Sequence, residues 1–210
     1  MNEIMSSAMA ENLNNRDLAL KQIRDEVLGL TTSPLFFYRT QNKYFPVIGE
    51  GNHEAKIMFI GEAPGKNEAQ TGRPFCGSAG KILDDLLASV GINRPDVYIG
   101  NILKDRPPFN RDPLPEEIAV YGPFLDRQIS IIQPKVIATL GRYSMKYIME
   151  KFGLTDVLRS ISELHGKVFE AKTDYGKVSI IPLYHPAAAI YDQNLLATLQ
   201  QDFKILEKFK

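Results

Sequence analysis

Four short apolar runs, at residues 56–60, 97–99, 136–140 and 178–183, alternate with stretches whose apolar residues recur at helical spacing. Runs without polar alternation fit strands buried on both faces, the condition of a parallel sheet. The helical stretches cover 79–90, with Ile82, Leu83, Leu86 and Leu87, then 115–132, 143–152 and 194–209. Another, 16–29, carries Leu18, Leu20, Ile23, Val27 and Leu28 and stops at Gly29, with frayed residues expected before it. Such alternation predicts an α/β fold, a parallel sheet covered on both faces and formed by one domain over residues 1–210. Residues 154–176 are rich in turn signals and predict a small hairpin or loop excursion before the last strand.

Composition narrows the function classes. A net charge of zero excludes a protein coated in positive potential, so any nucleic-acid contact must be local. The densest basic segment holds Lys104, Arg106 and Arg111, with Arg73 and Lys81 in a neighbouring motif; a solvated loop is the ordinary reading of such a run. Here the basic residues share their segments with Gly and Pro, which favours phosphate contacts. One cysteine excludes an internal disulfide, and three dispersed histidines give no zinc spacing. No apolar run approaches the roughly 20 residues of a membrane span, and the N-terminus has no signal-peptide pattern. The chain is expected to be cytoplasmic and monomeric.

Four islands of Gly, Pro and polar or aromatic residues sit at the ends of the predicted strands: residues 61–65 (GEAPG), 72–80 (GRPFCGSAG), 101–113 (NILKDRPPFNRDP) and 185–188 (HPAA). In α/β proteins ligands bind outside the carboxyl ends of strands, where such turns let a ligand approach the backbone. The first island is not a P-loop, since three residues separate Gly61 from Gly65 and Lys66 precedes Asn67. Residues 76–80 are not a serine-hydrolase elbow, because Cys76 replaces the first glycine. Nor is there a motif for a triphosphate or metal, as an enzyme of free nucleotides would need. What remains is Glu62 in a Gly-Pro turn, Phe75 between Pro74 and Cys76, Asn101 at a strand end and His185 before Pro186. Each has a structural explanation, respectively capping, core packing, strand-end bonding and a lone structural histidine. A loop between Gly72 and Gly77 is nevertheless a poor place to bury an aromatic.

In this order and spacing the islands resemble the iron-sulfur uracil-DNA glycosylases of family 4, from about residue 30 to the C-terminus. The resemblance implies a three-layer α/β/α sandwich around a four-stranded sheet, and a DNA-repair hydrolase that extrudes deoxyuridine from DNA and hydrolyses its glycosidic bond. It implies that Glu62 stands beside the attacking water and opposes the positive charge of the sugar, between Gly61 and Gly65, and that His185 donates to uracil O2. It further implies that Phe75 stacks on the base. Asn101 is assigned to the uracil edge, because an amide both accepts from N3–H and donates to O4. Arg73, Ser78, Lys104, Arg106 and Arg111 are expected at DNA phosphates, with Ile190 and Tyr191 as wedge candidates. The family holds its cluster with four cysteines, whereas the matching positions here are Leu30, Ser33, Asp105 and Tyr121. No cluster, metal or other cofactor is therefore expected. A uracil-DNA-binding protein with the same fold and lost hydrolysis is the alternative.

Overall fold

The computed structural model describes the backbone of residues 2–190 and 192–210, and side chains from residue 15 onward within those ranges. Its six strands are β1 (Glu50–Gly51), β2 (Ile57–Gly61), β3 (Tyr98–Asn101), β4 (Val136–Leu140), β5 (Phe169–Thr173) and β6 (Gly176–Leu183), in one sheet of order β1-β3-β2-β4-β6-β5. The four predicted strands are the central ones and run parallel. The expected four-stranded parallel sheet is thus extended by an antiparallel strand at each edge. Both additions escape hydrophobic patterning for a physical reason: β1 is two residues long, and β5 buries only Ala171. The β5–β6 hairpin fulfils the excursion expected at 154–176, with the Thr173 hydroxyl donating to the Gly176 carbonyl at 2.8 Å across its turn.

Alternation along β2 divides the interior. Ile57 and Phe59 face α4 (Ser78–Ser89) and α8 (Gln193–Phe203), packing with Leu83, Leu86, Leu87, Leu199 and Phe203. Met58 and Ile60 face the opposite layer, formed by α1 (Asn2–Leu28), α5 (Pro115–Ile132) and α6 (Arg142–Lys151). Leu125, Ile129 and Ile148 fill that layer with no measurable exposure beyond 1%, so truncating one to Ala costs about 2–5 kcal/mol. The result is the expected three-layer sandwich, with the short helices α2 (Phe36–Gln41) and α7 (Ile161–Leu164) in its connections. Helix α1 extends back to Asn2, beyond the predicted start at residue 16, since neither Gly nor Pro interrupts the chain before Gly29. Leu20, Ile23 and Val27 form its buried stripe, while Leu18 and Leu28 face solvent.

Parallel register levels the strand ends. Gly61 pairs with Asn101 and Leu140 with Leu183, so the residues after β2, β3, β4 and β6 emerge at one edge. That edge carries the islands.

Candidate active site

Gly61 is where the site begins. A methyl group there would collide with Asn101 Oδ1 and with the Phe75 ring, so glycine lets two strand ends meet the loop that bears Phe75. Phe75 in turn is held at φ 47°, and the first turn of α4 presses against its carbonyl so closely that only glycine fits at position 80. The Phe75 and His185 rings lie with centroids 5.6 Å apart and planes 29° from parallel. Around them opens a cavity of about 500 Å³, whose wall includes Glu62, Gly65, Phe75, Ser78, Asn101, Arg111, His185 and Ile190. This volume suits a small ligand.

Asn101 is 2% exposed, and its Oδ1 is buried without a hydrogen-bond donor among the described residues. A buried acceptor left unpaired costs about 1–3 kcal/mol, an expense concentrated here on the cavity wall. His185 caps the 3-10 turn Pro186–Ala189, its Nδ1 accepting from the Ala187 N–H at 3.1 Å. Because Nδ1 is the acceptor, the proton of the neutral ring belongs on Nε2. Burial pushes the His185 pKa down to about 4, against a weaker opposing effect of Glu68, so this neutral form prevails at physiological pH. Glu62 shows the converse shift. Burial first, and the charge of Asp112 second, push its carboxyl up to about 7, with Arg142 pulling the other way. Arg142 also donates to Asp112 at 2.7 Å, so these two, which the sequence reading left unassigned, form the electrostatic surroundings of Glu62.

Glu68 was also missed. From α3 (Lys66–Thr71) its Oε1 accepts from the amides of Cys76 and Gly77, at 3.0 and 2.8 Å, fixing the loop that carries Phe75 to the start of α4. A carboxylate reaching across from another helix leaves no local pattern. Phe75 itself corrects an expectation, for it is 6% exposed and packs with Phe59 and Leu83 while still facing the cavity. The strained turn folds the loop inward, so one ring serves core and site together.

The basic residues divide. Lys104 is fully buried, and its assignment to phosphate is overturned: Nζ donates to the carbonyls of Asn101 (2.8 Å) and Ile48 (3.4 Å) and to Gln128 Oε1 (2.6 Å). Desolvation lowers its pKa to about 7. Gln128 passes the network on, donating to the Tyr98 hydroxyl at 3.0 Å. Arg111 lines the cavity and forks onto Glu117. Arg106 bonds Asn110, Tyr38 and Tyr44. Arg73 is paired with Glu50 and is not part of the cavity wall, whereas Ser78 and Ile190 are. Tyr191 lies outside the described residues.

The four positions matched to cluster ligands converge on a different chemistry. Ser33 Oγ is 2.6 Å from the Tyr121 hydroxyl, which donates to Asp105 Oδ2 at 2.6 Å, and Arg39 Nη1 completes the chain at 3.1 Å from the same oxygen. Arg39 also donates to the carbonyls of Val27 and Leu28, capping the end of α1. Leu30 packs against the neighbouring apolar core. Burial raises the Asp105 pKa, with Tyr121 and Arg39 opposing the rise. These groups do not fit an iron-sulfur cluster. Leucine has no donor atom, no thiol is present, and the oxygens are engaged with one another and with a guanidinium. Among the described residues there is no grouping of three or more His, Cys, Asp or Glu side chains able to hold a metal ion.

Comparison with known proteins agrees with this arrangement of strand-end motifs. The family model described as the uracil DNA glycosylase superfamily matches residues 48–209, which contain every residue described above on the cavity wall. A type-4 uracil-DNA glycosylase of Sulfurisphaera tokodaii is 46% identical over 187 residues, covering 89% of this chain and 82% of that protein. The type-4 enzyme of Archaeoglobus fulgidus is 47% identical over 80% of this chain and 82% of its own, and that of Thermotoga maritima 40% identical over 82% and 83%. With the family match spanning both the cavity and the sheet beneath it, the chain belongs to the uracil-DNA glycosylase superfamily.

Proposed function

We propose that this protein excises uracil from DNA, as a single-domain hydrolase that draws deoxyuridine out of the base stack and cleaves its N-glycosidic bond. The observation that carries the reading is the orphaned Oδ1 of Asn101, a buried acceptor on the cavity wall. Uracil N3–H satisfies it and the amide NH₂ reaches O4, whereas cytosine presents an acceptor at N3 and a donor in place of O4. Phe75 covers one face of the base. His185 Nε2–H then donates to O2, stabilising the negative charge that uracil takes when it leaves. A preorganised donor of this kind is worth about 3–4 kcal/mol.

Water supplies the nucleophile. Its oxygen bonds to C1′ as the C1′–N1 bond breaks, uracil departs with the bonding pair, and the water proton passes to solvent or to the departing base. Ionised Glu62 opposes the positive charge that accumulates on the sugar in between. This chemistry runs through side chains alone, and the misfit at Leu30, Ser33, Asp105 and Tyr121 supports an enzyme without an iron-sulfur cluster. Arg111, Arg106, Ser78 and Ile190 then meet the DNA around the cavity, and Arg73 meets it farther out. No helix among the described residues is long and apolar enough to cross a membrane, and the proposed setting is the cytoplasm, as a monomer.

Uracil release from a uracil-containing oligonucleotide, measured under single turnover, tests the proposal. Wild type releases free uracil, and Glu62→Ala loses most of the rate while still binding the DNA, because its charge acts chiefly as the sugar becomes cationic. Tight binding by wild type without release from any DNA form overturns hydrolysis and leaves a uracil-DNA-binding protein.

A further inference from the structure

The segment after β3 carries an aromatic that neither the core nor the cavity uses. Phe109 is 92% exposed, and its backbone and that of Asn110 stand at φ 57° and 54°. The left-handed region disfavours side chains, and a large apolar one gains nothing from facing water. The segment is nonetheless held in place. The Asn110 N–H donates to the Pro107 carbonyl at 3.2 Å, and Arg106 Nε to Asn110 Oδ1 at 2.7 Å. Pro107, Asn110 and Arg111 all line the cavity, which puts Phe109 at its rim.

Arg106 extends this rim outward. Its guanidinium lies 5.6 Å from the centroid of the Tyr44 ring and donates to the Tyr44 hydroxyl at 3.0 Å, and Tyr44 meets Tyr38 edge-on at 6.1 Å. Beside them in the chain, Phe45 and Phe37 are 57% and 73% exposed. Among the described residues Arg106 pairs with no carboxylate, so its charge faces neutral partners only. Exposed rings interleaved with an uncompensated cation form a surface that suits stacked bases and a phosphate backbone.

We propose that this rim is a stacking track for unpaired nucleotides flanking the flipped deoxyuridine, with Phe109 taking the adjoining base and Arg106 a phosphate. The placement beside the flipped nucleotide rests on the cavity being the uracil site. Bases within a duplex are already stacked on their neighbours and offer no free face, so the track selects single strands. Each stacked base is worth a severalfold change in affinity.

The test uses fluorescence anisotropy with a uracil-free single-stranded oligonucleotide and the same strand annealed to its complement. Phe109→Ala is expected to weaken single-strand binding by about fivefold or more, to change duplex binding less than about twofold, and to be rescued by Phe109→Tyr. A single-strand loss below fivefold, or an equal loss on duplex, overturns the track. Circular dichroism confirms that the variants fold, which the exposure of Phe109 leads one to expect. Because the probe holds no uracil, this outcome is independent of the cavity assignment, which uracil release by the same wild-type preparation tests separately.

Discussion

Ser33 and Tyr121, 88 positions apart in sequence, share a hydrogen bond of 2.6 Å in the buried space between the end of α1 and α5. Through Asp105 and Arg39 it becomes a polar staple that joins α1, the segment after β3 and α5.

If this staple fastens α1, its members should be unequal. Arg39→Ala leaves Asp105 buried without its cationic partner and is expected to cost about 3–5 kcal/mol, against about 1–3 kcal/mol for Tyr121→Phe. Urea unfolding gives both values. The purified protein, handled anaerobically, should be colourless and contain no stoichiometric iron, as read by visible absorbance and metal analysis.

The raised pKa of Glu62 predicts the pH dependence of both rate and stability. If catalysis uses the Glu62 carboxylate as proposed, uracil release should climb with pH to a plateau above about 7, while His185, neutral above about 4, adds no second limb in that range. Stability goes the other way. Folding disfavours the ionised form, so Glu62 costs nothing below its ordinary pKa of 4.5 and weakens the fold increasingly as pH rises to about 7. Glu62→Gln should therefore be inactive, should melt higher than wild type at pH 8, and should lose that advantage near pH 4. An equal difference in melting temperature at both pH values would count against the shift.

Asn101→Asp separates recognition from chemistry. An ionised carboxylate only accepts, so the contact with O4 turns repulsive and discrimination against cytosine should weaken. The ratio of kcat/KM on uracil- and cytosine-containing strands measures this.

Lys104→Met is expected to destabilise the fold by about 1–3 kcal/mol for each oxygen it leaves unpaired, and to slow uracil release through the displaced backbone of Asn101. The salt dependence of DNA binding should stay as in wild type, since this buried amine reaches no phosphate. A reduced salt slope would return Lys104 to the DNA surface. The titration supplies a second readout. With the folded pKa lowered to about 7, the neutral amine favours the fold, so wild type should gain stability over the Met variant between pH 7 and about 10.

The central strands were legible because each is a continuous apolar run; the grouping of Glu62, Asn101 and His185 was legible because tight turns confine them to strand ends that parallel register brings together, and Phe75 joins them on the cavity wall from the loop before α4. Lys104 was not. In sequence it stands among Asp105, Arg106 and Arg111 like any solvated basic run, and only the three oxygens around its amine, two of them contributed by distant segments, take it inward. Asp112 was seen as part of a motif, yet its influence on Glu62 depends on a crossover bringing α6 and the segment after β3 together. Strand β1 escaped, and β5 was legible only as a hairpin or loop excursion, because backbone pairing, rather than side-chain burial, defines them.

The bonds from Glu68 to the amides of Cys76 and Gly77 have a consequence for competition inside a cell. The N-terminus of a helix such as α4 attracts free anions, and inorganic phosphate and nucleotides are abundant ones. Here a carboxylate of the protein's own stands beside that end, bonded to the two amides that precede the helix, so a small anion arriving there meets a negative charge. The loop bearing Phe75 is thus tied down by the protein's own charge rather than by a borrowed anion.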